Sequence, residues 1–226
     1  MSTALIGEPA SGLAPQIRLV LRYNLHPELD LHPSWLPADW PARHRAVARF
    51  GPAGRALLAE ALRRCGQLDA EPRFQFETRL ARLALLDVPS LRRLALYTGF
   101  VAHQPLMRER SAAGDELRRQ ARRIDADAVD FVLDRMPHAA AFRMDTQPMQ
   151  QRPLSTGRLV AARGHRLLLG ALLSEGQALR RVERKLPRRL GALPIPPLQP
   201  RQRRQLEELM LLGIVPDRLP QWDWLF

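Results

Sequence analysis

The chain is poor in cysteine and lysine and has no long apolar run, and each shortage removes a class of function. Cys65 is the sole cysteine among 226 residues, so an intrachain disulfide and a cysteine-built metal cluster are both excluded. Its place at the end of the helical stretch Ala53–Cys65 predicts a small buried apolar side chain rather than a reactive thiol. The most apolar stretch, Leu167–Leu173, lies between Arg166 and Glu175 and falls far short of the roughly 20 residues that cross a bilayer. Residues 1–15 lack the basic start and apolar core of a signal peptide. These features predict a cytoplasmic protein.

Catalytic signatures are also missing. Neither G-x-S-x-G nor H-E-x-x-H occurs, and Lys185, the only lysine, precedes Leu and Pro rather than closing a phosphate-binding loop. The carboxylate pairs Glu207-Glu208 and Asp125/Asp127 read as solvated helix ends or faces. His26, Asp30 and His32 offer ligand-type side chains, but Pro27 and Pro33 between them work against presenting them at helical spacing, and a metal site needs a third or fourth strong ligand on a fixed backbone. The expectation is a protein that is not an enzyme, has no cofactor and holds no metal.

Proline is abundant, with 20 residues against roughly 5% in an average chain. Because proline breaks a helix interior, a helical reading must use short helices separated by turns. Residues 1–14 read as a loose tail and residues 15–226 as one helical domain. Gln16–Leu25 fits either period, with helix favoured because no partner strand is in view. In His26–Pro41, four prolines and two tryptophans, Trp35 and Trp40, predict a chain of turns anchored by large rings. Helical spacing follows in Ala53–Cys65, stopped by Gly66, in a face of Phe76, Leu80, Leu83 and Ala84, and most clearly in Leu91–Ala102 behind Pro89.

Asp125 or Asp127 can cap a helix through Val129 and Val132 to Met136, and Ala139–Phe142 can add a turn. Asp145–Pro153 reads as a loop, and Ser155 as the cap of a central helix Thr156–Leu173. Ala178–Leu186 follows, then a proline-rich linker Leu193–Pro200, then Arg201–Leu212 stopped by Gly213. The aromatic tail Gln221–Phe226 is expected to fold back on the body rather than stand in water. The fold class is all-α: a single compact multi-helix domain of short, proline-punctuated helices.

Net charge is +12, and 34 of the 35 basic residues are arginine. An excess of this kind attracts nucleic acid, anionic lipid or an acidic protein surface. The arginines gather at Arg118/Arg119/Arg122/Arg123, at Arg180/Arg181/Arg184 and at Arg201/Arg203/Arg204. A nucleic-acid reader would set such a stripe beside stacking aromatics, whereas aromatics make up only 6% of this chain. The four arginines from Arg118 to Arg123 are the candidate partner-binding residues. An arginine-rich nucleic-acid-binding protein is the alternative function.

The run Tyr23-Asn24-Leu25-His26-Pro27-Glu28-Leu29-Asp30-Leu31-His32-Pro33-Ser34-Trp35-Leu36-Pro37 resembles the N-terminal signature of the SctK (YscK/PscK) family, with its aromatic-Asn pair, proline and His-Pro-Ser-Trp-Leu-Pro-like turn. Leu85–His103 resembles the middle helix of that family, and Gly157–Pro187 its late Leu/Arg-rich helix ending in Lys-Leu-Pro. The arginine-rich body departs from the pattern. The resemblance implies a cytoplasmic adaptor of the type III secretion sorting platform at the cytoplasmic face of the bacterial inner membrane. Such an adaptor joins the cytoplasmic domain of the ring protein SctD to the pod protein SctQ. Tyr23, Asn24, Pro27, His32, Pro33, Trp35, Leu36 and Pro37 then serve as structural motif residues, with Trp35 as the buried anchor.

Overall fold

The computed structural model describes residues 14–41, 46–66, 71–136, 144–191 and 197–226. They are all-α, with no strand among the described residues. Most of the expected tail, the expected turn at 139–142 and half of the expected linker at 193–200 fall outside these residues. The sequence reads as one helical domain, and the chain divides into two compact units, Met1–Phe76 and Glu77–Phe226.

The first unit opens with α1 (Pro15–Leu25), so the helical reading holds for the segment that fits both periods; Pro15 sits in its first turn, where a missing N–H costs nothing. The proline-rich segment follows as single 3-10 turns at Pro27–Leu29 and Pro33–Trp35, each started by its proline. A third turn, Val47–Phe50, runs into α2 (Gly51–Arg64). Gly54 lets α2 sit tightly on that turn, because a Cβ there would lie 2.0 Å from the Val47 carbonyl. Leu58 and Leu62 of α2 are buried and are covered by Leu31, Leu36, Trp40 and Val47. Gly66 takes the left-handed conformation just past the helix end (φ 66°). Cys65 is exposed, contrary to the sequence reading. It is the C-cap of α2, past the last helical turn, so it does not follow Leu58 and Leu62 into the interior.

In the second unit only residues 79–85 of the expected Phe76–Ala84 face are helical, capped by Thr78. The centre is the crossing of α3 (Val88–Ala102) with a long later helix (Thr156–Ala171, called α6 below). Asp87 caps α3 by accepting from the Ser90 N–H at 2.8 Å, and Pro89 lies in its first turn. Leu91, Leu94, Ala95 and Val101 are sealed from solvent, as are Val160, Leu168 and Ala171 across the crossing. Burying each leucine contributes about 2–3 kcal/mol. Gly99 and Gly164 allow the approach: a Cβ at Gly164 would stand 1.9 Å from the Ala95 carbonyl, and one at Gly99 2.5 Å from that of Val160.

Shorter helices surround the crossing. They include α4 (Gln104–Arg108), α5 (Ala112–Ile124, capped by Ser111) and a helix after α6, α7 (Gln177–Lys185). The Asp145–Pro153 stretch carries a helical turn, Gln147–Gln151, where composition suggested loop: Pro148 starts it and buried Met149 anchors it. The last helix, α8 (Pro200–Glu208), opens with a reciprocal capping box between Gln199 and Gln202. It does not end at Gly213. A π-helical turn, Leu209–Ile214, and Val215–Arg218 continue it. At Gly213 a side chain would stand 2.7 Å from Met136 Cε, so the glycine makes room for a neighbour rather than stopping a helix.

The tail folds back as expected: Trp222 Nε1 donates to Ser90 Oγ at 2.8 Å, Arg82 donates to the Leu225 carbonyl at 3.0 Å, and Leu225 is buried. Trp224 stays half exposed. Lys185 is buried as well, its ammonium donating to the carbonyls of Ala84 (2.9 Å) and Leu86 (2.6 Å). No described helix is long and apolar enough to cross a membrane.

Candidate functional site

The motif residues of the first unit form a hydrogen-bonded frame. Tyr23 is buried with its ring edge-on to Phe76, centroids 5.2 Å apart. Asn24 binds the backbone of Arg73 from both ends of its amide. Its Nδ2 donates to the Arg73 carbonyl (2.8 Å) and its Oδ1 accepts from the Arg73 N–H (2.8 Å), across 49 positions of sequence. Pro27 is buried at the start of its turn. His32 Nδ1 accepts from the Ser34 N–H at 3.2 Å and caps the Pro33–Trp35 turn. Pro37 closes the run and accepts through its carbonyl from the Trp40 N–H at 3.2 Å. Trp35, expected as the buried anchor, is only half-buried. Leu36 and Trp40, with Leu31 and Val47, pack on Leu58 and Leu62. None of the residues of the Pro33–Trp35 turn is buried, and it is Leu36, just past the turn, that reaches the leucine pair. Among the described residues no three His, Cys, Asp or Glu side chains are gathered to hold a metal ion.

The second unit carries the strongest charged feature, the outer face of α5. Ala113, Leu117 and Ala121 are buried, with Gly114 on the same side held 2.5 Å (as a hypothetical Cβ) from the Glu109 carbonyl. That fixes which residues face out. Asp115, Arg118, Arg119, Arg122 and Arg123 line a surface depression of about 390 Å³. The four arginines that the sequence groups together are not equivalent. Arg118 turns back on the protein, donating to the Met107 and Glu109 carbonyls and pairing with Asp115. It satisfies carbonyls at the end of α4 that the helix leaves open. Arg119 pairs at 2.7 Å with Glu116, a buried carboxylate that also accepts from Gln120 at 2.6 Å. Arg122 and Arg123 are exposed and have no ion-pair partner among the described residues.

Just past α5, Asp125 is not the solvated helix end that composition suggests. It accepts from the hydroxyl of fully buried Tyr97 and pairs with Arg93 at 2.6 Å. Burial first, and the Asp125 bond second, push the Tyr97 hydroxyl well above its ordinary range. Arg218 binds Asp127 through two hydrogen bonds of 2.8 and 2.9 Å and stacks on Phe131 at 4.1 Å. That bidentate contact holds the Asp127 carboxyl below its ordinary value. The network joins α3, the end of α5 and the last helical turn. No local pattern announces it, because its partners lie up to 125 positions apart.

Beneath α4, His103 is buried and its Nδ1 donates to the Gly99 carbonyl at 2.8 Å. Burial lowers its pKa to about 4, with the Arg163 charge adding to the effect. Neutral His103 accepts at Nε2 from Arg163 Nη1 at 3.0 Å, and the same guanidinium donates to the Asp145 carbonyl. Both ring nitrogens are thus occupied, an arrangement that holds structure together and leaves no lone pair aimed at a substrate. The groups displayed on the outer face of α5 are guanidinium groups.

No protein-family model, curated protein or solved structure matches the chain.

Proposed function

We propose that the protein is a non-enzymatic adaptor of the type III secretion sorting platform, working at the cytoplasmic face of the bacterial inner membrane and linking the cytoplasmic domain of SctD to SctQ. The observation that carries this reading is the run Tyr23–Pro37, whose resemblance to the family signature includes the residues that cap, clasp and turn the first unit. A helical body with a cationic outer face suits a protein whose work is contact with other proteins. The test is co-purification with the ring protein's cytoplasmic domain and with the pod protein. Retention of both is expected, and retention of neither overturns the reading.

The alternative, a nucleic-acid-binding protein, is favoured by the +12 charge and by the free guanidinium groups of Arg122 and Arg123. It requires affinity for duplex or single strands that falls steeply with added salt. Absence of binding at low salt removes it.

A further inference from the structure

We infer that the outer face of α5, centred on Arg122 and Arg123, is a docking site for an acidic segment of a partner protein. The inference rests on the reading of this chain as a protein-binding one and assigns a surface to it. Four observations converge. The depression is lined by four guanidinium groups and one carboxylate, Asp115. Its inner half is already neutralised, since Arg118 is committed to Asp115 and two carbonyls, and Arg119 to Glu116. Its outer half, Arg122 and Arg123, faces solvent unpaired, with Ile124 half exposed beside it. Arg180, Arg181 and Arg184 of α7, by contrast, each engage a neighbour already.

Dimensions and chemistry decide the kind of partner. From Arg119 to Arg123 the helix rises about 6 Å, room for one or two anionic groups and too short to track a nucleic-acid backbone. With Arg118 paired to Asp115 and Arg119 to Glu116, only two uncompensated cations remain in the lining, which suits a segment with spaced charges better than a continuous polyanion. No described aromatic side chain lines the depression for base stacking. Guanidinium forks match carboxylates two bonds at a time, and the apolar border at Ile124 suits an acidic segment that also carries aliphatic side chains. The arginines at the end of α5 complement its dipole, which offsets part of the repulsion between them.

The test uses the full chain and a fluorescein-labelled peptide of glutamate and aspartate with leucine at every third or fourth position. Affinity is measured by anisotropy for the native protein, for Arg122→Gln/Arg123→Gln, and for a charge-matched control, Arg201→Gln/Arg204→Gln, on the exposed face of α8. The α5 variant is expected to bind roughly tenfold more weakly and the control within about twofold of the native protein. Equal losses in the two variants would show bulk charge attraction and overturn the inference, as would no loss in either. Tighter binding of a short DNA duplex that disappears with the same α5 variant would also overturn it, by reassigning the face to nucleic acid. Co-purification with SctD and SctQ is scored separately. If both are retained and the α5 variant leaves peptide binding intact, the assignment of the face fails while the adaptor reading stands; if neither is retained, the reverse holds for a peptide loss confined to α5.

Discussion

Residues up to Phe76 and residues from Glu77 onward bury their apolar surface in different ways. In the first unit a pair of leucines, Leu58 and Leu62, is roofed by half-buried side chains, while Phe50, Leu57 and Phe74 remain largely exposed. Turns, caps and the Asn24 clasp fix its shape. In the second unit two helices meet backbone to backbone at Gly99 and Gly164, and satellite elements are tied on through charged hydrogen bonds and ring contacts. The difference teaches that polar detail does opposite work in the two: it replaces a large core in one and decorates a large core in the other.

The comparison can be broken most forcefully at the first unit's leucine pair. Leu62→Ala removes a fully buried side chain and is expected to cost roughly 2–5 kcal/mol. In a denaturant titration followed by hydrogen exchange, that loss should fall on the first unit and spare α3 and α6. Gly164→Ala is the counterpart in the second unit. Its Cβ would meet the Ala95 backbone at 1.9 Å, which cannot yield as a side-chain tip can, so about 2–3 kcal/mol of destabilisation is expected and should appear in the exchange of α3 and α6. If Gly164→Ala leaves stability unchanged, the crossing is looser than described.

Asn24→Ala tests whether clasps substitute for core. It leaves the Arg73 N–H and C=O without their side-chain partner, and about 1–3 kcal/mol should be lost. A neutral outcome would mean that the first unit does not depend on its polar frame.

Acid separates the units by a different route. His103 has a pKa of about 4 in the folded chain against 6.5 ordinarily, so the unfolded chain takes up the proton first. Its contribution to stability is complete above about pH 6.5 and is lost as pH falls toward 4; His165, also lowered by burial, acts in the same direction. Asp127, held down by Arg218, adds its own loss only below its ordinary value of 3.8. A stability profile that stays flat from pH 6.5 to 4, or one whose slope His103→Gln leaves unchanged, would contradict this. The smallest effect is expected at α5, where Arg122→Gln/Arg123→Gln should shift stability by no more than about 0.5 kcal/mol while altering binding.

Local chemistry made much of the fold legible. Pro27 and Pro33 marked the 3-10 turns, Pro89 and the spacing from Leu91 to Ala102 marked α3, and the aromatic tail was expected to fold back because exposed rings are costly. What escaped depended on neighbours distant in sequence. Gly213 reads as a stop until Met136 is seen filling the space above it, and Cys65 reads as buried until α2 is seen to end at Arg64. The arginine cluster was legible as a cluster. Its division into a structural half, Arg118 with Arg119, and a free half, Arg122 with Arg123, was not, because the Met107 and Glu109 carbonyls that claim Arg118 belong to another element. Likewise Asp125 and Asp127 looked interchangeable, and only the fold gives one to Tyr97 and Arg93 and the other to Arg218.

The adaptor reading is tested most directly by asking whether one copy of the chain can hold two partners at once. Purified protein mixed with the cytoplasmic domain of SctD and with SctQ should elute from size exclusion as a species whose light-scattering mass requires all three. A mass that never exceeds the chain alone, with either partner or with both, would contradict the account.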